Sequence, residues 1–211
     1  MGLSPRALRL YLVTDPDLCA ERGLVDTVRC AVAGGATMVQ LRDKTAETRT
    51  RIAQANALKG ALKGTGVPVL INDDVEAAIL SDADGAHVGQ GDISAVEARS
   101  RLGPSAILGL SCETEEHVVS ADPSIVDYLG IGTVFATATK SDHGTAIGLD
   151  GVERLCARTT LPCVAIGGLK AEHNSGVLAA GADGLAVISA ICGAPDPTAA
   201  ARAFYQETEL A

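Results

Sequence analysis

The sequence predicts a single-domain (β/α)8 barrel, a TIM barrel of α/β class, over residues 1–211. Eight short apolar runs alternate with eight segments of helical period, and polar residues follow the runs directly. Nearly continuous Val, Ile, Leu and Ala runs are typical of parallel strands covered on both faces. A doubly wound sheet would need a glycine-rich loop after its first strand, but Thr14-Asp15-Pro16 stands there.

The elements follow one another without a linker, a charge block or a low-complexity tract. The predicted strands are residues 8–14, 38–41, 67–71, 85–88, 106–110, 128–132, 163–166 and 184–188. The predicted helices are residues 24–33, 47–63, 75–80, 94–102, 115–120, 151–158, 171–180 and 197–208. Glycines at 35, 85 and 181 mark places where a helix ends and the chain turns into the next strand.

The composition indicates a globular protein with an aliphatic core. Of 211 residues, 47% are hydrophobic but only 2% aromatic, and none is Trp. The net charge of −9 argues against nucleic acid and anionic membranes as partners, so any anion site must be a local basic pocket. No apolar run approaches the roughly 20 residues that span a bilayer. The N-terminus lacks the apolar core and cleavage site of a signal peptide, so we expect a cytoplasmic protein.

The cysteines and histidines give weaker signals. The six cysteines form no C-x-x-C pair and no zinc-finger spacing, so we expect buried free thiols in a reducing compartment. His87 lies in a predicted strand and is expected to be a packed, hydrogen-bonded core residue. We expect His117 and His173 to be exposed on helices, and His143 to be exposed in a loop beside the site.

Polar residues cluster after the predicted strands, where barrel enzymes carry their active sites. In chain order they are Gln40, Arg42, Lys44, Asn72, Asp73, Gln90, Asp92, Ser111, Thr137, Thr139, Lys140 and Ser189, and the glycine pair Gly167-Gly168 follows the seventh strand. Hydroxyls, backbone amides and an ammonium after one strand make an anion site. Together with a basic cluster and carboxylates from other strands, this pattern suggests chemistry on a diphosphate.

Each cluster has a functional interpretation and a structural one. Alternate residues of a strand project to one side, which groups Gln40, Arg42 and Lys44. The amide could hold a heterocycle and the two cations could hold phosphoryl oxygens. Alternatively, Arg42 and Lys44 are solvated cations beside Asp43. Asn72-Asp73 and Asp92 could supply ligands for Mg²⁺, or simply cap the helices that follow. The loops at 167–168 and 188–189 could bind phosphate through backbone amides, or be ordinary tight turns.

Taken in order, several short motifs make the chain resemble the thiamine-phosphate synthase family. They are residues 40–44 (QLRDK), 71–73 (IND), 89–92 (GQGD), 109–111 (GLS), 137–140 (TATK), 165–168 (AIGG) and 181–184 (GADG). The resemblance runs from Leu10 to Ile191. It implies a Mg²⁺-dependent barrel transferase of thiamine biosynthesis, which joins hydroxymethylpyrimidine diphosphate to thiazole phosphate and releases diphosphate.

The resemblance also implies roles for individual residues. The pyrimidine diphosphate would be held by Gln40, Leu41, Arg42, Asp43, Lys44, Asn72, Ser111 and Lys140, with Tyr11 near the pyrimidine. The thiazole phosphate would be held by Thr137, Ala138, Thr139, Gly168, Ile188 and Ser189. Asp73 and Asp92 would bind Mg²⁺, and Arg42, Ser111 and Lys140 would be catalytic.

The chain departs from the family pattern at two positions. Ala136 stands where Pro is usual, and Glu113 stands where a His is common. The related thiazole tautomerase branch uses that His and lacks the Thr-x-Thr-Lys run, so this chain is closer to the synthases.

Three alternative functions and the oligomeric state stay open at this point. The alternatives are a tautomerase-like relative, a class I aldolase-type lyase with a Schiff base on Lys140, and a non-catalytic barrel that retains a phosphate site. Lys140 lies in a polar loop beyond its strand, which favours anion binding over a desolvated amine. The expected partners are small molecules, and the sequence is compatible with a homo-oligomer.

Overall fold

The chain closes into a parallel eight-stranded barrel, and a computed structural model describes its residues 3–137 and 145–206. The strands are β1 (Leu10–Val13), β2 (Met38–Leu41), β3 (Val69–Asn72), β4 (Gly85–Val88), β5 (Ile107–Cys112), β6 (Tyr128–Gly132), β7 (Cys163–Ile166) and β8 (Gly184–Val187). Each strand pairs in parallel with its sequence neighbours, and β8 pairs with β1 to complete the ring. The predicted fold class is therefore confirmed.

Helices surround the barrel. They are α1 (Pro16–Cys19), α2 (Leu24–Ala33), α3 (Thr48–Ala61), α4 (Val75–Leu80), α5 (Ala95–Leu102), α6 (Glu115–Ser120), α7 (Gly148–Cys156), α8 (Asn174–Ala179), α9 (Ser189–Cys192) and α10 (Pro197–Gln206). Two short 3-10 turns, Pro5–Leu8 and Ala171–His173, precede β1 and α8. No helix in the described part of the chain is long and apolar enough to cross a membrane.

The element boundaries differ from the predicted ones for local reasons. The first strand begins at Leu10 rather than Leu8 because Pro5, which suits the first turn of a helix, starts a 3-10 turn. The strand predicted at 106–110 extends to Cys112 and thereby includes Ser111. The short helices α1 and α9 were not predicted, because four residues are too few to show a helical period.

The core has two layers, set by the alternation of side chains along each strand. Leu10, Leu12 and Leu41 point outward and pack under the helices. Tyr11 and Val13 point into the barrel interior. Inside, they pack with Leu8, Met38, Leu70, Tyr128, Val164, Ala186 and Ile188. All six cysteines are free thiols, as predicted, but only four of them are buried; Cys30 and Cys156 are half-buried.

Candidate active site

Two adjoining depressions open at the carboxyl ends of the strands. The first, here called the central cavity, has a volume of about 330 Å³ and is lined by Arg42, Lys44, Asn72, Asp73, Gln90, Asp92, Ser111, Glu113 and His117, among others. The second, here called the glycine-loop cavity, is lined by Thr133, Thr137, Gly167, Gly168, Ile188 and Ser189, among others. Thr133 and Ile166 line both cavities, so groups bound in the two would be neighbours.

Arg42 is the buried cation of the central cavity. Its side chain follows β2 and only 7% of the residue is exposed. One guanidinium nitrogen, Nη1, lies 4.0 Å from Asp15 Oδ2, while Nε is buried without a hydrogen-bond partner among the described residues. The Arg42 amide donates to Thr14 Oγ1 at 2.9 Å, which fixes the backbone here. A buried donor without a partner is costly, so Arg42 is ready to receive an anion.

Two carboxylates, Asp73 and Asp92, approach each other in the same cavity. Burial and the neighbouring Asp92 raise the pKa of Asp73 to about 6, while Lys44 acts in the opposite direction. Asp73 has a left-handed backbone with φ of 61°, an uncommon conformation for a residue other than glycine. Asp73 is half-buried and Asp92 is exposed, and two carboxylates this close are unfavourable unless a proton or a cation lies nearby.

The helix-capping alternative for these aspartates is wrong. Asp74, not Asn72 or Asp73, caps α4, accepting from the Ala77 amide at 2.9 Å. Ser94 caps α5. Asp92 instead accepts from the Gly89 amide at 2.7 Å, which ties its carboxylate to the end of β4. Neither Asp73 nor Asp92 is therefore explained by helix capping.

A run of hydrogen bonds crosses the barrel floor beneath the central cavity. Gln40 Nε2 donates to the Tyr11 hydroxyl at 2.7 Å, and the Tyr11 and Tyr128 hydroxyls are 2.9 Å apart. His87 Nδ1 lies 2.8 Å from the Tyr128 hydroxyl, and His87 Nε2 lies 2.9 Å from Ser111 Oγ. His87 is thus packed and hydrogen-bonded, as predicted, but it also contacts a predicted site residue.

The glycine-loop cavity is shaped by close backbone contact between two loops. The Phe135 amide donates to the Gly167 carbonyl at 3.0 Å. Gly168 has φ of +63°, and a Cβ there would lie 2.7 Å from the Phe135 oxygen and 2.8 Å from the Ala136 oxygen. Only glycine fits this position without strain, and the contact places Thr137 beside the loop after β7.

Two residues of the 40–44 motif do not face the cavity. Leu41 is 1% exposed and packs under the helices. The Asp43 carboxylate accepts from the Thr45 and Ala46 amides at 3.1 and 3.0 Å and closes its own loop. Neither side chain lines the central cavity: Leu41 points outward from β2, opposite to Gln40, and Asp43, which follows the strand, is held by its own loop.

Other predicted residues are placed as follows. Ala138, Thr139, Lys140 and His143 lie outside the described residues. His117 and His173 are half-buried rather than exposed, and His117 lines the central cavity. Thr133 was missed; its signal was its position directly after β6, where other site residues follow their strands. Gln90 Nε2 donates to the Ser111 carbonyl at 2.7 Å and so supports Ser111 from the next loop.

Comparison with known proteins identifies the family. The family described as "Thiamine monophosphate synthase" matches residues 10–191. The chain is 54% identical over 200 residues to "Thiamine-phosphate synthase" of Xanthobacter autotrophicus, covering 95% of each chain. It is 51% identical over 198 residues to the protein of that name from Azorhizobium caulinodans, covering 94% of this chain and 93% of the relative.

A solved structure agrees with these sequence relatives. A "Thiamine phosphate pyrophosphorylase" from Pyrococcus furiosus superposes with a TM-score of 0.87 at 34% identity, covering 98% of both chains. Sequence and structure thus lead to one conclusion: the chain belongs to the thiamine monophosphate synthase family.

Proposed function

We propose that this protein condenses hydroxymethylpyrimidine diphosphate with thiazole phosphate to give thiamine phosphate and diphosphate, the reaction implied by its family. The observation that best supports this proposal is the pair of adjoining cavities. One carries buried and exposed cations with carboxylates, and the other is enclosed by glycine-rich backbone. Two phosphorylated substrates, one in each cavity, would meet at the shared residues Thr133 and Ile166.

The central cavity suits the diphosphate substrate. Arg42 and Lys44 would bind phosphoryl oxygens, and Arg42 Nε is a buried donor that has no hydrogen-bond partner within residues 3–137 and 145–206. Gln40 and Ser111 would hold the pyrimidine beneath them, close to Tyr11. We assign Lys140 to the diphosphate as well, because it belongs to the Thr-x-Thr-Lys run that follows the strand between the two cavities.

The carboxylates fit a divalent cation. Half-buried Asp73 lies beside exposed Asp92, and burial, followed by the hydrogen bond and charge of Asp92, raises the pKa of Asp73 to about 6. A Mg²⁺ ion prefers one or two carboxylates plus phosphate oxygens, which Asp73, Asp92 and a diphosphate would supply together. When bound, such an ion neutralises charge on the leaving diphosphate. Among the described residues no group of three or more His, Cys, Asp or Glu side chains could hold a metal alone.

The residues present support a dissociative substitution. The bond between the pyrimidine methylene carbon and the diphosphate oxygen breaks, and its electron pair leaves with the diphosphate. The aminopyrimidine ring stabilises the methylene cation, and the thiazole nitrogen then donates its lone pair to form the new carbon–nitrogen bond. Arg42, Lys44 and Lys140 stabilise developing negative charge on the leaving group. No general base is required, so positioning and charge stabilisation would account for the catalysis.

The glycine-loop cavity would hold the second substrate. Its phosphate would approach the loops of Gly168 and Ser189, with Thr137 from the loop after β6. This division puts the attacking nitrogen and the departing diphosphate on opposite sides of the reacting carbon. The six free thiols support a reducing compartment, and we place the reaction in the cytoplasm on that basis.

The direct test is an activity assay with both substrates. The purified protein is incubated with both substrates and Mg²⁺, and thiamine phosphate and diphosphate are quantified. We expect equal amounts of the two products, no product when either substrate is omitted, and loss of activity with a chelator. Equal activity with and without the chelator would contradict the metal assignment. Absence of thiamine phosphate under every condition would contradict the proposed function.

A variant of Lys140 separates this function from the lyase alternative. Lys140→Ala should lower kcat/KM at limiting diphosphate substrate by about 30- to 1000-fold, the range for loss of a charge-stabilising group of about 2–4 kcal/mol. Lys140→Arg should restore part of the activity, because it keeps the charge but changes its shape. Borohydride trapping of a carbonyl substrate on the parent protein, lost in Lys140→Ala, would support the lyase instead.

A further inference from the structure

We propose that Tyr11, Tyr128 and His87 form a positioning relay that makes Ser111 a hydrogen-bond donor and Gln40 an acceptor toward the bound heterocycle. The identity of the heterocycle rests on the proposed function; the direction of the relay does not. None of these three side chains needs to touch a reacting atom. Their role is to fix which proton points where.

The relay is buried, so its hydrogen bonds must be complete. Tyr11 is 1% exposed, Tyr128 is 0% exposed and His87 is 8% exposed. Burial raises the pKa of both tyrosines, so each phenol keeps its proton and has one hydrogen to donate. A buried donor without an acceptor is costly, and each of these protons therefore needs a partner within the relay.

The amide at one end sets the direction of every other bond. Gln40 Nε2 can only donate, so the Tyr11 oxygen accepts from it at 2.7 Å. The Tyr11 proton then goes to the Tyr128 oxygen at 2.9 Å. The reverse bond, from Tyr128 to Tyr11, would leave the buried Tyr11 proton without an acceptor.

The same reasoning reaches Ser111. Because Tyr128 accepts from Tyr11, its own proton goes to His87 Nδ1 at 2.8 Å. His87 is then neutral with its proton on Nε2, and it donates to Ser111 Oγ at 2.9 Å. Ser111 Oγ accepts this bond, so its own proton is left to be donated into the cavity.

This direction gives the cavity floor a defined pattern of donors and acceptors. Gln40 and Ser111 line the same depression, together with Tyr11, His87 and Asn72. Gln40 Nε2 is engaged with Tyr11, so its Oε1 can accept from the exocyclic amine of an aminopyrimidine. The Ser111 hydroxyl can donate to a ring nitrogen. An oxopyrimidine presents the opposite groups and would leave both site groups unmatched, which a polar site rejects strongly.

The backbone around the relay is shaped to hold it. A Cβ at Gly109 would overlap both the Tyr128 ring and His87 Nδ1. A Cβ at Gly130 would lie 3.1 Å from His87 Cε1 and 3.4 Å from Nε2. Two glycines on adjacent strands thus make room for the histidine and the tyrosine, and their rings are confined to this arrangement.

The first test reads the His87 tautomer without any substrate. ¹⁵N-labelled protein is examined by long-range ¹H–¹⁵N NMR at neutral pH, with the His87 signals assigned by their loss in His87→Gln; His173→Gln is the matched control. We expect an unprotonated Nδ1 and a protonated Nε2. The opposite orientation of the Gln40 amide would reverse every bond, so a proton on Nδ1, or a doubly protonated ring, overturns the relay direction.

The second test asks whether the relay acts through Ser111. Tyr128→Phe removes the donor to His87 and should raise KM for the pyrimidine diphosphate about tenfold, the effect of one hydrogen bond of about 1.4 kcal/mol. KM for the thiazole phosphate should stay unchanged. In a Ser111→Ala background, Tyr128→Phe should have little further effect, because coupled residues are not additive.

The outcomes of the two tests separate the relay from the proposed function. If the two substitutions act additively, or if Tyr128→Phe raises both KM values alike, the relay does not act through Ser111. If Tyr128→Phe does not fold, the tautomer of the parent protein still decides the direction. A protonated Nε2 in a protein that makes no thiamine phosphate would uphold the relay direction and reject the function.

Discussion

Replacing Gly168 by alanine tests how the glycine-loop cavity is built. The new Cβ would lie 2.7 Å from the Phe135 oxygen, 2.8 Å from the Ala136 oxygen and 2.9 Å from Phe135 Cβ. The two oxygens belong to the backbone and Phe135 Cβ is fixed directly to it, so none can rotate away and the loop that carries Thr137 must shift. The left-handed φ of +63° adds strain for any residue with a Cβ.

Gly148 provides a matched control. Its φ is +64°, nearly identical to that of Gly168, but a Cβ there meets nothing within 4 Å. The free energy of unfolding of Gly148→Ala should therefore fall only by the strain of a left-handed alanine, about 1–2 kcal/mol. The free energy of unfolding of Gly168→Ala should fall by about 1–3 kcal/mol more, the usual cost of forcing atoms into a packed region. For a chain of this size each kcal/mol corresponds to about 2–4 °C in Tm.

The assay combines unfolding with kinetics. Urea and thermal unfolding of both variants give the stability difference. KM for thiazole phosphate should rise on the order of tenfold in Gly168→Ala, since misplacement by about 1 Å can cost 100-fold. KM for the pyrimidine diphosphate should stay near the parent value in both variants. Equal stability losses at the two glycines, together with an unchanged KM for thiazole phosphate, would refute the packing argument.

Three further predictions concern charged residues of the central cavity and its border. In the presence of a chelator, Asp73→Asn should have a higher Tm than the parent at pH 7.5. The pKa of Asp73 is raised to about 6, so its ionised carboxylate destabilises the folded protein fully above about pH 6. This destabilisation disappears as the pH falls to about 4, the pKa of an unperturbed Asp. Excess Mg²⁺ should remove the advantage, and a parent as stable as the variant in chelator would contradict it. Asp74→Ala removes the α4 cap and the 2.7 Å ion pair with Arg51. The variant should lose about 2 kcal/mol in the free energy of unfolding, measured in urea, and keep the kcat/KM of the parent. Lost activity without lost stability would contradict this prediction. Arg42→Lys should weaken calorimetric binding of the pyrimidine diphosphate but not of thiazole phosphate, and equal weakening of both would mean a general packing defect.

The residues that follow the strands were largely predictable from the sequence. Strand alternation, continued past Leu41, predicted that Gln40 and Arg42 share one face. In the structure both are buried, with Arg42 lining the central cavity and Gln40 the depression beneath it. The same alternation directs Leu41 to the opposite face, under the helices, whereas Asp43 follows the strand and is held by its own loop.

The choice among three consecutive polar residues needed the structure. Sequence alone left Asn72 and Asp73 as cap candidates, since Asn and Asp are common at helix N-termini. The folded chain uses the next residue, Asp74, as the cap and directs Asp73 to Asp92. A shift of one residue in the helix start decides this, and propensities do not locate helix ends that finely.

The sequence by itself determined the barrel, the order of its elements and the edge at which the polar residues meet. These follow from local patterns, because an apolar run or a helical period is contained within a few adjacent residues. Only the tertiary structure decided that Gln40, Tyr11, Tyr128, His87 and Ser111 form one run of hydrogen bonds. These residues come from five strands and meet because barrel closure and strand register bring them together, with Gly109 leaving the space between them. Contacts of that kind depend on how distant strands are aligned, which no local pattern in the sequence specifies.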